Sequence, residues 1–327
     1  MSFTRRLSNH LGLSLRPASR RETPAARPTF RPTLEALEDR WVPSTLTVTT
    51  NLDSGLGSLR AEIAAAKNGD TIVFAPSLNG QTITLTSGEL LIRHSITIAG
   101  PGAGNLTVSG NHASRVFDLG NGAHSVALSG LTISNGFSSS YAGGIFVSSG
   151  HALTVSGCTL SNNSASNAGG GMFNAGTLTV SGSTLSGNSA YHGGGIYNAL
   201  GTLTVSGSTL SSNSATSGGG IYSDGGSITV SASTLSTNVA SSHGGGIFNG
   251  NISGGTATVS GCTLSGNSAA AGGGIYNSGT ATVKNSSSIT GNTAPAGFGA
   301  DVYNLSVLYL DSTSTISILD GNPWVRI

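Results

Sequence analysis

The chain has 327 residues, of which 50 are glycine and only 8% are charged. Residues 1–45 carry eight arginines and four acids, net +4, whereas residues 46–327 carry six basic and nine acidic groups, net −3. Nucleic-acid interfaces need clustered Lys and Arg, so the nearly neutral main part predicts no nucleic-acid partner. No stretch of about 20 apolar residues occurs, and we therefore expect no transmembrane helix.

The first 45 residues form a basic segment rich in Arg, Pro and Ser. The pair Arg5-Arg6 and the short apolar run at residues 11–15 indicate an export signal, although the run is shorter than a normal signal-peptide core. A disordered, solvated tail explains the same composition equally well. We keep both interpretations, an export segment and a disordered segment, for residues 1–45.

A short motif closes this segment. Residues 34–44 read Leu-Glu-Ala-Leu-Glu-Asp-Arg-Trp-Val-Pro-Ser. This motif resembles the Leu-Glu-x-Leu-Glu-x-Arg-x-x-Pro-Ser segment that precedes the mature region in many exported and surface proteins of environmental bacteria. The resemblance covers eleven residues and implies export.

The region 46–75 is predicted to be an N-terminal cap. A strand begins at residues 46–49, and residues 58–67 form the one strong helix pattern in the chain, with Ser58 as N-cap and Gly69 after its end. Residues 71–74 then return to a strand pattern. A helix laid across the open end of a stacked β-structure would cover both apolar core and unpaired strand edges.

Residues 141–304 repeat one unit about six times. An asparagine recurs at intervals of 25, 25, 25, 29 and 25 residues, and this fixed period indicates a stacked repeat architecture. We interpret these asparagines as a structural ladder at one corner of the stack. The six positions are Asn163, Asn188, Asn213, Asn238, Asn267 and Asn292.

Each repeat contains short alternating runs such as Leu203-Thr204-Val205-Ser206, which place Leu203 and Val205 on one face. Gly and Asn between the runs suit tight corners, and no run shows a helical period. Three short strands and three bends in about 25 residues predict one coil of a parallel β-helix. The core must then be shared between coils, because one coil cannot bury its own apolar residues. Residues 305–327 are more apolar and are predicted to form a C-terminal cap.

A wider resemblance follows from these motifs. Residues 51–63, Asn-Leu-Asp-Ser-Gly-Leu-Gly-Ser-Leu-Arg-Ala-Glu-Ile, look like the Cys-Ser-Leu-Arg-Glu-Ala segment of bacterial surface β-helix proteins, with Gly57 in the Cys slot and the Glu-Ala order reversed. The Gly-Gly-Gly-Ile-Tyr-Asn units resemble the Gly-Gly-Ala-Ile repeats of polymorphic outer-membrane proteins. Together these resemblances cover residues 46 to about 304. They imply a β-helix fold, an exported location and an adhesin-like role.

Catalysis is not expected from the regular repeats. Glycoside hydrolysis needs two nearby carboxyls, and a lyase needs clustered carboxylates and a base. Between residues 141 and 300 there is one acid, Asp224, in a bend, and one basic Lys or Arg, Lys284. The early coils contain Glu89, Arg93, Arg115 and Asp118, which we place in different coils at irregular spacing.

No metal site or cofactor is predicted either. His192 and His243 occupy the same slot two coils apart, about 10 Å, which is too far to share a zinc ion. Cys158 and Cys262 share another slot four coils apart, about 19 Å, and cannot form a disulfide with each other. We interpret both cysteines as small, semi-buried residues.

An outward-facing aromatic residue follows each core residue of the Gly-Gly-Gly-Ile unit. Stacked at strand spacing, these rings would form one long stripe, which we call the aromatic stripe. Its structural interpretation is that neighbouring rings bury each other; its functional interpretation is a binding strip for sugars or a partner protein. The stripe consists of Phe146, Phe173, Tyr197, Tyr222, Phe248, Tyr276 and Tyr303.

A threonine column offers a third surface. It resembles the flat faces of ice-binding β-solenoids, but it is a single column and the coils vary in length, so we do not expect ice binding. The column consists of Thr154, Thr179, Thr204, Thr229, Thr258 and Thr282.

The sequence therefore predicts an all-β, right-handed parallel β-helix of about ten coils with a short N-terminal capping helix. The expected role is structural or adhesive at the cell surface or outside the cell, without catalysis, and the expected partner is a polysaccharide or a surface protein. The alternative is a polysaccharide lyase or hydrolase of the same fold. The oligomeric state does not follow from the sequence.

Overall fold

The computed structural model describes residues 42–120, 122, 124–250 and 254–327. The predictions for residues 1–41, including the Arg5-Arg6 pair and most of the 34–44 motif, lie outside these ranges. Within them, no helix is long and apolar enough to span a membrane.

The described part of the chain is a right-handed β-solenoid built from parallel sheets, as predicted. One sheet has 12 strands, two have 10 and a shorter one has 5. All paired strands run parallel and come from successive coils, so the solenoid has about 11 turns, against the ten or so expected. We name the sheets A, B, C and D.

Sheet A consists of Thr45–Val48, Thr71–Phe74, Thr97–Ala99, Ser125–Ser129, Ala152–Ser156, Thr177–Ser181, Thr202–Ser206, Ser227–Ser231, Thr256–Ser260, Thr280–Lys284, Val307–Leu310 and Val325–Arg326. Sheet B consists of Gln81–Thr84, Leu106–Ser109, Thr132–Ser134, Thr159–Ser161, Thr184–Ser186, Thr209–Ser211, Thr234–Ser236, Thr263–Ser265, Ser288–Ile289 and Thr315–Ile316. Strands of residues 305–327 extend sheets A, B and C by a further coil.

Sheet C consists of Leu90–Leu91, Phe117–Leu119, Ile145–Val147, Met172–Asn174, Ile196–Ala199, Ile221–Asp224, Ile247–Asn249, Ile275–Asn277, Val302–Asn304 and Leu319–Gly321. Sheet D consists of Phe137–Ser138, Ser164–Ala168, Ser189–His192, Ser214–Ser217 and Val239–His243. In the regular coils the chain passes from sheet C through A and B to D, and returns to C through the glycine run.

The short helix spans Leu59–Ala65, near the N-terminus, and is accompanied by a 3-10 turn at Pro76–Leu78. The Ser58 side chain accepts a hydrogen bond from the backbone N–H of Ala61, as an N-cap does. The helix ends before the predicted Lys67. Leu59 and Ile63 are buried in the solenoid core, so the helix is held by its apolar face.

One continuous core runs through the described coils. Aliphatic residues in the same slot pair in register, for example Leu178 with Leu203 and Leu203 with Ile228. These side chains are almost completely buried. Burial of each contributes about 1.5–3 kcal/mol relative to exposure, but only when the neighbouring coil is present to cover it.

The six predicted ladder asparagines form a hydrogen-bonded chain inside one corner. In the first five, the Nδ2 donates to the Oδ1 of the next asparagine at 2.8–3.0 Å, and the backbone N–H of the same residue donates to that Oδ1 at 3.0–3.1 Å. The other Nδ2 hydrogen satisfies a backbone carbonyl of the preceding coil, as Asn213 does with Leu185 at 3.0 Å. Because every link has the same direction, the side-chain dipoles point the same way along the stack.

A second buried ladder lies at the end of the sheet C strands and was not predicted. Asn174 donates to Asn198 at 2.7 Å, Asn249 to Asn277 at 2.7 Å and Asn277 to Asn304 at 2.8 Å. Ser223 interrupts it, and within the described ranges the buried Oδ1 of Asn249 has no hydrogen-bond partner. The final Asn of each Gly-Gly-Gly-Ile-Tyr-Asn unit is the sequence signal that marks this ladder.

Candidate functional site

The glycine run before each sheet C strand places the aromatic stripe. Gly193 has φ +63°, a conformation that favours glycine, and a Cβ on Gly194 would lie 2.5 Å from the carbonyl oxygen of Ser214. Neighbouring backbones therefore approach closely at this corner. The strand that follows buries Ile196 and turns Tyr197 outward, as strand alternation requires.

The seven rings of the stripe lie on successive coils with centroids 4.4–5.7 Å apart. From Phe146 to Tyr276 the planes of neighbouring rings differ by only 4–11°. Tyr303 is tilted by 37° from Tyr276. The faces of the inner rings therefore cover each other, and the surface they offer consists mainly of ring edges and tyrosine hydroxyls.

Charged residues continue the stripe at both ends. Asp118 pairs in register with Phe146, and Asp320 pairs with Tyr303. The guanidinium carbon of Arg115 lies 4.8 Å from the centroid of Phe146. This cation–π contact covers the first ring of the stack.

The pKa values of Tyr197, Tyr222 and Tyr276 are all raised by burial. Burial and the charge of Asp224 raise the pKa of Tyr222 to about 12. The pKa of Tyr197 is also raised by burial and by Asp224, whose Oδ2 accepts the Tyr197 hydroxyl proton at 3.1 Å. Asp224 thus ends a sheet C strand and orients a ring of the stripe, a role beyond the turn residue that its sequence context indicates.

A second column of side chains packs against the stripe from sheet D. In register it alternates large and small residues: Tyr141, Ala168, His192, Ser217, His243 and Ala271. The large members contact rings one coil further on, His192 with Tyr222 at 4.7 Å and His243 with Tyr276 at 4.5 Å between centroids. Burial lowers the pKa of both histidines. No group of three or more His, Cys, Asp or Glu among the described residues is arranged to hold a metal ion.

Two tyrosines beside the stripe were missed by the sequence analysis. Tyr191 is 54% exposed and Tyr141 is 39% exposed. The ring of Tyr191 contacts His192 edge-on at 4.5 Å and lies outside the stack. The sequence signal for both is a tyrosine two positions before the glycine run, in Tyr141-Ala142-Gly143 and Tyr191-His192-Gly193.

The early coils contain a charged cluster, formed by residues that were expected in different coils at irregular spacing. Arg115 Nη1 lies 3.1 Å from Glu89 Oε2 and 2.7 Å from Asp118 Oδ2. Glu89 lies one coil before Arg115 and Asp118, which share a coil, and the pairing of Leu91 with Asp118 in sheet C brings the two coils into contact here. Irregular coil lengths hide this register in the sequence.

Arg115 is fully engaged by its surroundings. Its Nε donates to the carbonyl of Ala142 at 3.1 Å and its Nη2 to that of Tyr141 at 2.9 Å. Burial raises the pKa of Glu89; the charge of Arg115 opposes the rise and that of Asp118 adds to it. The cluster thus joins the early coils to the first ring of the stripe.

Two grooves meet at Glu89. One, of about 490 Å³, is lined by Glu89, Ser114, Arg115 and Phe137 among others. The other, of about 300 Å³, is lined by Glu89, Arg93 and His94 together with the capping helix. Asp118 Oδ1 and Ser114 Oγ are buried and have no hydrogen-bond partner within the described ranges.

Comparison with known proteins supports the fold. The family model of the right handed beta helix region matches residues 94–251. Among solved structures, the chain is similar to pectate lyase Pel9A, with 15% identity over 87% of this chain and 80% of that one and a TM-score of 0.47. A mutant of the PL6 family alginate lyase AlyGC is 12% identical over 86% of this chain, with a TM-score of 0.25, and the match spans 53% of that enzyme.

No curated protein sequence matches the chain significantly. With TM-scores of 0.47 and 0.25, the likeness to the two lyases carries no argument about this chain. The family match and the sheet topology agree: residues 94–251 have the right-handed β-helix fold.

Proposed function

We propose that the protein is an exported, non-catalytic β-helix that acts as a structural and adhesive element at the cell surface. The observation that carries this proposal is the closed state of the regular coils: their interior amides are paired in ladders and their aromatic faces cover each other. Such an arrangement makes the regular coils rigid. It also leaves few unpaired polar side chains that could act as catalytic groups.

The export part of the proposal rests on the motif at residues 34–44 and on the resemblance to bacterial surface β-helix proteins. The folded part has few charged residues, so its exposed serine and threonine hydroxyls must provide most of its contact with water. Labelling of intact bacterial cells with an antibody against residues 46–327 tests this part. We expect labelling without permeabilisation, and a purely internal signal would contradict it.

For the adhesive role, we place the binding surface on the open rings of Tyr191 and Tyr141 beside the stripe, and not on the stacked rings of the stripe. A sugar ring packs on an aromatic face, and the faces within the stack are covered. Tyr191 and Tyr141 keep exposed ring surface next to the hydroxyls of the stripe, where a polysaccharide or a surface protein would find both apolar and polar contacts. The seven stripe residues then act mainly by holding this surface in place.

The test is retention of the full chain on a panel of immobilised polysaccharides. We expect Tyr191→Ser and Tyr141→Ser each to reduce retention. Tyr191→Ser should leave the melting temperature unchanged, whereas Tyr141→Ser should lower it slightly, because it removes a ring contact with Phe173 at 4.9 Å. Tyr309→Ser is the matched control, because Tyr309 lies on sheet A, away from the stripe. Equal retention of all three folded variants would contradict the assignment of the binding surface.

A second candidate function, cleavage of a polysaccharide, rests on the Glu89–Asp118 pair. Both carboxyls contact the same Arg115 nitrogen, which keeps them within about 6 Å of each other, close to the separation found in retaining glycosidases. The raised pKa of Glu89 suits a general acid, and a groove lies beside it.

The position of Arg115 argues against this second candidate. Its guanidinium occupies the space between the carboxyls, where a glycosidic bond would have to lie. If the cluster is catalytic, Glu89→Gln and Asp118→Asn will each abolish release of new sugar ends while the chain stays folded. If it is structural, as we propose, no release occurs with the wild type.

A further inference from the structure

The outer face of sheet A carries a second threonine column that the sequence analysis did not identify. The first column, Thr154 to Thr282, points outward between buried core residues on strands such as Thr202–Ser206. Two residues upstream on the same strands lies a column of Thr177, Thr202, Ser227, Thr256 and Thr280, and two residues downstream a column of Ser156, Ser181, Ser206, Ser231 and Ser260. We call these three columns the threonine array.

The array keeps its register through the whole set of regular coils. Thr179 pairs with Thr204, Thr204 with Thr229, and Thr229 with Thr258. The last of these pairs crosses the coil that is four residues longer than the others, so the extra length does not shift sheet A. The two reasons for expecting no ice binding, a single column and variable coils, therefore do not hold for this face.

The array is a lattice with two fixed repeats. Neighbouring coils are about 4.8 Å apart, and residues i and i+2 of a strand are about 6.6–6.8 Å apart. Threonine is stiff at χ1, so each threonine of the array offers a methyl and a hydroxyl with little freedom to lose on binding, whereas Ser227 and the downstream serine column offer a hydroxyl alone. The array itself contains no charged residue; Lys284 lies at its C-terminal edge.

We infer that the threonine array binds the surface of ice. A protein face that repeats in two directions is suited to a ligand that also repeats in two directions. Such a ligand is the surface of a crystal and not a single small molecule. An uncharged face matches an uncharged crystal, which excludes ionic minerals. The water oxygens of ice repeat on a scale similar to that of the array, and rows of hydroxyls and methyls can hold water in such an order.

Crystalline polysaccharides are the other uncharged solids with repeating hydroxyls. Proteins bind such chains with open aromatic faces. The array itself has no aromatic residue, and a single ring, Tyr309, lies at its C-terminal edge in register with Thr282. This inference is independent of the proposed adhesive function, which uses Tyr191 and Tyr141 beside sheet D.

The test measures ice recrystallisation and the adsorption of the fluorescently labelled full chain to a growing ice crystal. We expect the wild type to slow recrystallisation and to adsorb to the ice, and Thr204→Lys to lose both effects because a long charged side chain breaks the centre of the array. Thr216→Lys is the matched control: Thr216 lies on the same coil but on sheet D, so this variant should behave as the wild type.

Circular dichroism and melting curves establish that each variant is folded. A folded wild type that neither adsorbs to ice nor slows recrystallisation overturns the inference. So does a folded Thr204→Lys variant with wild-type effects, or binding to crystalline cellulose or chitin in place of ice. Lysine is used because a smaller change such as serine would keep the hydroxyl.

Discussion

The side-chain Nδ2 and the backbone N–H of Asn292 both donate to Oδ1 of Asp301, at 2.9 and 3.1 Å. Asp301 occupies the place of a seventh asparagine at the C-terminal end of the ladder, and its second oxygen accepts the backbone N–H of Ile318 at 2.9 Å. A carboxylate only accepts hydrogen bonds, so it ends a ladder in which every link donates in one direction. The ladder therefore has a built-in terminus.

Replacement of Asn213 by alanine should be strongly destabilising. It removes the acceptor of the Asn188 amide and the donor to Leu185, and leaves buried polar groups unpaired. Each unpaired group costs about 1–3 kcal/mol, so we expect a loss of about 2–4 kcal/mol in the free energy of unfolding. Chemical denaturation followed by circular dichroism measures it.

The neighbouring Ser214→Ala is the control for Asn213→Ala. Ser214 is exposed, and its loss should change the free energy of unfolding by less than about 0.5 kcal/mol. If the two variants unfold at the same denaturant concentration, the ladder does not stabilise the coils.

The substitution Ser223→Asn should stabilise the protein. The side-chain amide introduced there would accept from Asn198 and donate to Oδ1 of Asn249, which has no hydrogen-bond partner among the described residues. This would join the two halves of the second ladder. One added buried hydrogen bond is worth about 1 kcal/mol. A melting temperature at or below that of the wild type would show that the gap at position 223 is needed.

Phe248→Ala tests the structural role of the stripe. The Phe248 ring stacks between Tyr222 at 4.4 Å and Tyr276 at 5.1 Å, and we expect a loss of about 2–4 kcal/mol in the free energy of unfolding. Phe298→Ala is the comparison, because Phe298 is 47% exposed and its ring meets the tilted end ring, Tyr303, at a centroid distance of 6.0 Å. Phe298→Ala should lower the free energy of unfolding by less than half as much as Phe248→Ala does. Equal losses for the two variants would mean that ring stacking contributes little to stability.

The N-terminal cap should loosen in acid. Burial alone would raise the pKa of Asp53, but hydrogen bonds from Ser87, Arg60 and the backbone of Thr86 and Ser87 outweigh it and hold the pKa at about 2. This value is below the ordinary 3.8, so the stabilisation is fully present above pH 4 and is lost as the pH falls towards 2.

Proteolysis between pH 5 and 2 with an acid-stable protease measures this loosening at residues 42–75. We expect the cleavage of wild type in this region to rise as the pH falls through 4 to 2. Asp53→Asn cannot make the ion pair with Arg60 at any pH, so its cleavage should already be high at pH 5. A pH-independent wild type would contradict the role of Asp53.

The sequence period was sufficient to predict the fold and the slots of the regular coils. Asn188, Ile196 and Leu203 recur at fixed intervals, and a parallel β-helix converts equal intervals into register. The period did not reveal the contact between Glu89 and Arg115, because the early coils differ in length. It also missed the second threonine column, since Ser227 interrupts it and only the register of sheet A shows its continuity.

The stripe illustrates the remaining limit of sequence reasoning. Alternation predicted that Tyr197 and Tyr222 point outward, and they do. Whether their faces are open depends on ring orientation, and the rings lie parallel to each other, 5.1 Å apart with planes 6° apart. Ring orientation follows from packing against the neighbouring coil and has no signature in the sequence.

The most direct test of the proposed function measures retention and cleavage in one experiment. The full chain is incubated with each polysaccharide of a panel, and the bound protein is quantified together with new reducing and unsaturated sugar ends. We predict retention on at least one polysaccharide with no new ends above the protein-free control. New ends that disappear in Glu89→Gln would contradict a non-catalytic role and assign the activity to the Glu89–Asp118 pair.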